Sequence, residues 1–269
     1  MKNIISSILF VCILMSCSGG NMATSINNSG GDISSNIEKI AKERIYFAHQ
    51  SVGYNIMDGI YDIIEKYNKK LDIVETSDAP KGEDSFFAHS RIGENTKPQT
   101  KINGFYDVMN NGMGKMVNIA FLKFCFVDIN AETDIMSLFK EYQSVINKLK
   151  LQYPNVTYIH FTNPLVIRQT GLKAFIKKII GRQVNGAEDN LQRQEYNELL
   201  RKAYYGKELL FDIAEIESTK LDGSREVYSL DGKKYFSLNP QYTTDGGHLN
   251  KKGRDLVARN LIKFISELP

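Results

Sequence analysis

The chain has 269 residues, of which 42% are hydrophobic and 24% charged, and its formal net charge is +3. That balance excludes a disordered polyampholyte and gives no electrostatic footprint for nucleic-acid binding. Its 3 cysteines, without repeated Cys/His spacing, exclude a disulfide framework and a zinc-finger arrangement.

Residues 1–17 read as a targeting segment. Lys2 supplies the positive end, Ile4 to Met15 a short apolar run, and Leu14-Met15-Ser16-Cys17 resembles a bacterial lipoprotein box in which Cys17 is the lipidated residue. The apolar run is shorter than the roughly 20 residues a spanning helix needs. An ordinary signal peptide or an anchor helix is the alternative. Residues 18–36 are small and polar and read as a flexible tether, leaving 37–269 as one folded domain. With a lipid anchor the domain belongs to the cell envelope, on a membrane whose leaflet the residues do not specify, and is expected as a monomer.

Beyond the tether the pattern alternates strand and helix. Arg44 to Ala48 reads as the first strand, and apolar residues at Val52, Ile56, Ile60, Ile63, Ile64 and Tyr67 mark one face of the helix after it. Leu71 to Glu75 reads as a second strand, followed by a long loop from Thr76 to about Asn103. Val117 to Val127 is a nearly continuous apolar run, as in a strand buried on both faces. Thr133 to Tyr153 reads as a helix stopped by Pro154, Val156 to Phe161 as the fourth strand, Asp189 to Tyr205 as a helix and Leu209 to Ile213 as the fifth strand. Glu226 to Leu238, centred on Asp231-Gly232, reads as a hairpin, and Lys251 to Leu268 as the last helix. Strands separated by helices imply a three-layer α/β/α sandwich on a mostly parallel, flavodoxin-like, five-stranded sheet. Cys125 sits in an apolar stretch and reads as a small buried hydrophobe.

The chemistry concentrates at two distant places. Near the C-terminus, Thr243-Thr244-Asp245-Gly246-Gly247-His248 sets an Asp three residues before a His on a flexible turn, an arrangement that can orient an imidazole as a general base. Near the N-terminus, His49-Gln50-Ser51-Val52-Gly53 sets Ser51 at a strand-to-helix corner, where a helix N-terminus favours developing negative charge. Sites in parallel sheets lie at the carboxyl ends of strands, where Ser51, Asp128 and Asn163 all fall.

With Ser51 after the first strand and Asp245-x-x-His248 before the last helix, the chain resembles the SGNH (GDSL-like) hydrolase superfamily over roughly residues 44–268. The resemblance implies Ser51 as nucleophile, His248 as base and Asp245 as its orienting partner. It also implies an oxyanion hole built from the Ser amide, a Gly amide and the Asn of a Gly-x-Asn-Asp block. Here the first block lacks Gly-Asp-Ser, and the third reads Cys125-Phe126-Val127-Asp128, with Val127 where the Asn belongs. Gly93 and Asn95 in Ile92-Gly93-Glu94-Asn95 are the replacement donors, and Asn130 is a further substitute. His49, and His89 in the Gly93 loop, are candidates to line the pocket; His160, inside a strand, reads as a core residue. No pair of histidines has i,i+4 spacing, so no metal and no cofactor is expected.

Between Thr170 and Gln183, Leu172, Phe175, Ile176, Ile179 and Ile180 share one helical face and Lys173, Lys177, Lys178 and Arg182 the other. This is a surface helix packed on the core, or a lid over the site. The sequence thus leads to a serine esterase acting through an acyl-enzyme on Ser51, on an acylated glycan or a lipid ester outside the cytoplasm. A ligand-binding lipoprotein of the same fold and a glycan O-acyltransferase are the alternatives.

The anchor reading is tested by Cys17→Ser, which should leave the protein in the soluble fraction or as uncleaved precursor, because a lipidated Cys supplies most of the buried hydrocarbon. Correct cleavage and membrane retention of that variant would contradict it.

Overall fold

The computed structural model describes residues 32–82, 84–169 and 186–269. The signal, Cys17 and most of the tether lie outside them, as does the Thr170 to Gln183 stretch. In chain order the elements are α1 (Ile33–Ile40), β1 (Arg44–His49), α2 (Val52–Lys66), β2 (Ile73–Glu75), β3 (Phe86–Arg91), α3 (Pro98–Val108) and the short α4 (Gly114–Met116). There follow β4 (Ile119–Leu122), α5 (Ile135–Gln152), β5 (Thr157–Phe161), α6 (Ala187–Tyr204), β6 (Leu210–Phe211), α7 (Ile213–Ser218), β7 (Val227–Leu230), β8 (Lys233–Phe236) and α8 (Lys251–Ser266). α1 takes in residues 33–36, which composition alone had left in the tether. No described helix is long and apolar enough to cross a membrane.

The main sheet has six strands in the order β2-β3-β1-β4-β5-β6, every pair parallel. The expected five-stranded sheet is therefore corrected to six. The missing strand is β3, inside the stretch read as a loop. Its polar residues hide it: Phe86-Phe87-Ala88-His89-Ser90 is buried throughout, but His89 and Ser90 break the apolar pattern. Both are paired inside the sheet, His89 Nδ1 with His49 Nε2 at 3.0 Å and Ser90 Oγ with the Tyr46 hydroxyl at 2.7 Å. Hydrogen bonding lets polar side chains occupy a buried strand without periodicity reporting them. Without the edge strand β2, the order β3-β1-β4-β5-β6 is the doubly wound one of flavodoxin-like sheets.

Both faces of the sheet are covered. Along β1, Ile45 and Phe47 face α1, α2, α7 and α8, while Tyr46 and Ala48 face α3, α5 and α6. Alternate residues of one strand thus enter two separate cores, which is why the strand reads as continuously apolar. On the first face, Phe47, Phe121, Phe161 and Phe211 form a row across β1, β4, β5 and β6, with centroids 4.7, 5.1 and 4.8 Å apart. The β7–β8 hairpin turns at Asp231-Gly232, both with positive φ (48° and 79°), as the sequence anticipates.

α2 and α8 lie side by side on that first face. A Cβ added to Gly59 of α2 would stand 2.5 Å from the backbone oxygen of Arg254 on α8, so a glycine is what permits the approach. Arg254 in turn donates to Asp62 at 2.7 Å. Gly59→Ala gains up to about 1 kcal/mol of helix propensity but drives a methyl into backbone, an overpacking cost of about 1–3 kcal/mol. The clash should win, lowering Tm by a few degrees in thermal unfolding, at roughly 2–4 °C per kcal/mol for a chain of this size. An unchanged or raised Tm would show that the helices are not in this contact.

Candidate active site

The site lies at the carboxyl ends of the strands. β1 stops at His49, and Ser51 is the N-cap of α2 with φ 54° and ψ −113°, a positive-φ conformation that a non-glycine residue adopts at a cost. That sharp corner leaves the Ser51 side chain outside the sheet at the start of a 15-residue helix. At the other end of the chain, α8 begins at Lys251, so its packing against α2 brings the preceding turn beside Ser51. Leu249 N donates to Asn55 Oδ1 of α2 at 3.0 Å, fastening that turn to the helix that Ser51 caps.

Ser51 Oγ lies 2.7 Å from His248 Nε2, and His248 Nδ1 lies 2.6 Å from Asp245 Oδ2. The other Asp245 oxygen accepts from the backbone N–H groups of Gly247 (2.9 Å) and His248 (2.8 Å). Partial burial would raise the Asp245 carboxyl, but the bonds from Gly247 N, from the His248 ring and from His248 N outweigh it and hold it well below the ordinary carboxylate range. An ionised Asp245 fixes the Nδ1–H tautomer, leaving Nε2 as the acceptor for the Ser51 hydroxyl. The Phe126 ring meets the imidazole edge-on at 5.3 Å. Beside it opens a cleft of about 400 Å³ lined by Phe126, Val166, Ile167, Gln169, Gly186 and the Asp245–His248 turn.

Gly93 follows the end of β3. β1 and β3 pair with His49 opposite Arg91, so Gly93 stands two residues beyond the strand end, level with Ser51. It has φ 61°, and a Cβ there would come within 2.6 Å of Lys101 N, so only glycine fits. The buried Gln50 side chain donates to Ile92 O (2.6 Å) and Gly93 O (2.5 Å), tying the turn to the corner at Ser51. Asn95 is exposed, with its side-chain oxygen accepting from Lys101 Nζ at 3.1 Å. Lys101 also reaches Asp128 Oδ2 at 2.5 Å, both side chains being fully buried. Asp128 further accepts from Thr96 N (2.9 Å) and Cys125 N (2.6 Å).

Both histidines expected to line the pocket are buried in the sheet instead, His89 within β3. His49 is fully buried, in a ring contact with Phe47 (4.5 Å) and bonded to His89, so it belongs to the core rather than to a substrate surface. Burial, with Lys123 and His89 nearby, pushes its pKa well below the ordinary imidazole value. Asn130 spends its side-chain oxygen on Glu132 N (2.9 Å) and the Thr133 hydroxyl (3.4 Å), capping the approach to α5. His160 is a satisfied core residue, bonded to Tyr142 (2.8 Å) and Glu208 (2.9 Å) and stacked on Tyr204. Cys125 is free and buried. Sequence reasoning missed Gln50 and Lys101, since a Gln after a strand and a Lys in a helix carry no signal until their burial is known. Among the described residues, no group of three or more His, Cys, Asp or Glu is placed to hold a metal ion.

No protein-family description matches the chain, and no curated relative does. Among solved structures, the chain is similar to a protein from Streptococcus pneumonia provisionally described as a platelet activating factor (14% identity, 87% of this chain and 94% of that one, TM-score 0.47). It is also similar to the periplasmic domain of a lipopolysaccharide acetyltransferase from Salmonella ser. Paratyphi A (14%, 83% and 84%, TM-score 0.49). A third is a Desulfitobacterium hafniense protein provisionally assigned as lipolytic and of the G-D-S-L family (9%, 82% and 99%, TM-score 0.43).

The His248–Asp245 bond carries its own test. A carboxyl depressed on folding stabilises the folded arrangement above its unfolded pKa and loses that contribution only as pH falls through the lower folded value. The imidazole Nδ1 proton should therefore give a strongly downfield NMR signal that survives acidification through the usual Asp range, near pH ~4. It should vanish in Asp245→Asn. Loss of the signal at about pH 4 in the parent would contradict the assignment.

Proposed function

We propose that this chain is a serine esterase of SGNH type that removes an acyl or acetyl group from a glycan or lipid outside the cytoplasm. The observation that carries the reading is the continuous chain Ser51 Oγ–His248 Nε2, His248 Nδ1–Asp245 Oδ2, at 2.7 and 2.6 Å. A serine hydroxyl is a weak nucleophile until a base takes its proton, and a neutral imidazole held by a carboxylate is that base.

In the proposed cycle the ester carbonyl sits above Ser51, within reach of the Gly93 amide. Ser51 Oγ attacks the carbonyl carbon as His248 Nε2 takes the hydroxyl proton. The carbonyl oxygen becomes an oxyanion, facing the start of α2 and the Gly93 turn. His248 then returns the proton to the departing alcohol oxygen as the tetrahedral intermediate collapses to acyl-Ser51. A water molecule, deprotonated by His248, repeats the attack and frees the acid. The half-exposed imidazole gives that water access. Phe126, Val166 and Ile167 give the cleft apolar surface suited to an acyl chain or the apolar face of a sugar. The proposed lipid on Cys17 would keep the enzyme at the envelope surface that holds such esters.

A fluorophosphonate should add once to the purified protein, on Ser51, as read by intact mass and peptide mapping. Ser51→Ala and His248→Ala should each lower kcat on short-chain esters by a factor on the order of 10⁴–10⁶, with little further loss in the double variant. A folded parent that takes no adduct would favour the ligand-binding reading. Transfer of the acyl group to a sugar hydroxyl in preference to water would keep the acyl-enzyme but make the protein a transferase.

A further inference from the structure

After β5 the chain runs through residues 162–169 without helix or strand, so its backbone groups need partners from outside the segment. Three buried side chains supply them. Asn197 of α6 accepts from Asn163 N at 2.6 Å and donates to Asn163 O at 3.0 Å. Asn190, also of α6, does the same for Val166 N and O, at 3.1 and 2.5 Å. Glu217 of α7 accepts from Leu165 N through Oε2 at 2.9 Å. The strap held in this way reaches the Asp245–His248 turn directly, because Ile167 N donates to Gly246 O at 2.8 Å.

Glu217 is the odd member of the three. A carboxamide matches a peptide group with one donor and one acceptor, and each asparagine uses both ends. Glu217 uses one oxygen, while its Oε1 is buried with no hydrogen-bond partner among the described residues. Burying a carboxyl in this way costs more than burying a fully bonded carboxamide. The charged groups around it are Lys123 beyond β4, Arg193 of α6 and Asp212 at the start of α7. Burial, helped by Asp212, outweighs Leu165 N, Lys123 and Arg193, so the carboxyl is pushed up to about 8. It therefore changes charge just above neutral pH while it holds the strap, and a carboxylate accepts more strongly than the neutral acid.

Resting on the esterase reading, we propose that Glu217 is a positioning residue for the His248 turn: it holds the strap at Leu165 N and so sets, through Ile167 N and Gly246 O, where that turn presents the imidazole. Glu217 touches neither substrate nor the reacting atoms. Its ionisation tightens the Leu165 bond, and the turn at the far end of the strap is held more firmly in consequence. The strap also carries Val166 and Ile167, which line the cleft beside His248, so one buried carboxyl governs both the base and a wall of its pocket.

The test is the pH dependence of short-chain ester hydrolysis in the parent and in Glu217→Gln, with Ser51 labelling by a fluorophosphonate and Tm measured alongside. In the parent, kcat should show a second rise of about three- to tenfold near pH 8, beyond the limb set by His248, as the neutral acceptor becomes a charged one. Glu217→Gln should lose that rise. A carboxyl raised on folding costs stability increasingly as pH climbs toward its folded value and in full above it. The Tm of Glu217→Gln relative to the parent should therefore increase up to about pH 8. A Tm difference that follows this course while the two kcat profiles superimpose overturns the positioning role and leaves Glu217 a structural group. A parent that neither labels nor hydrolyses overturns the esterase reading and this inference with it. Should Glu217→Gln fail to fold, NMR titration of the parent decides. Leu165 and Ile167 amide shifts sharing one midpoint with the kinetic rise support the coupling, and an Ile167 amide that does not respond at that midpoint overturns it.

Discussion

The structure depends on the packing of α2 against α8. Ser51 caps the first helix and His248 lies just ahead of the second, so the two residues, 197 apart in sequence, meet only if the helices start side by side at one edge of the sheet. Gly59 admits the backbone of Arg254, the Arg254–Asp62 pair borders the seam, and the Asn55–Leu249 bond closes its upper end. Loop closure over nearly 200 residues is entropically costly. The contact is offset by a shared apolar core beneath it, including Ile56, Ile60, Ile63, Val257, Leu261 and Ile262. The site therefore inherits its geometry from core packing, which suits a triad whose members must hold position to a fraction of an ångström.

A second constraint is the polarity of the interior near the site. The sheet is apolar along most of its length, yet His49, Gln50, Lys101, Lys123, Asp128 and Asn163 are all buried at or near its carboxyl end. Burial costs such groups their hydration, and most recover it locally: Gln50 on two carbonyls, Lys101 on Asp128 and Lys123 on Phe124 O. Glu217, also fully buried, is pushed up to about 8 by desolvation, against the opposing influence of the Leu165 amide, Lys123 and Arg193. This buried polar set fixes the loops that carry Gly93, Asn95 and Phe126.

The same set explains what the amino-acid sequence revealed and what it concealed. Apolar runs such as Ile45–Ala48 and Ile119–Leu122, the Asp231-Gly232 turn and the amphipathic faces of α2 and α8 all announce themselves through periodicity or turn chemistry. β3 does not, because its two polar residues, His89 and Ser90, pair with residues 40 and 44 positions away in the chain. At the site, Ser51 and the Asp245/His248 pair are visible because corner, spacing and glycines coincide. His49 misled for a geometric reason: strand alternation turns it into the core beside Phe47, although it is two residues from Ser51. Lys101 stayed silent because a lysine on a helix looks solvated until its helix is seen to start beneath Gly93.

The central claim is that Ser51, His248 and the Gly93 turn form one acyl-accepting centre, and a crystal structure of the fluorophosphonate-treated protein tests it most directly. The account predicts phosphorus bonded to Ser51 Oγ, His248 Nε2 still beside that oxygen, and the phosphonyl oxygen within about 3 Å of Gly93 N. An unmodified Ser51, or a phosphonyl oxygen pointing away from the Gly93 turn, would contradict it.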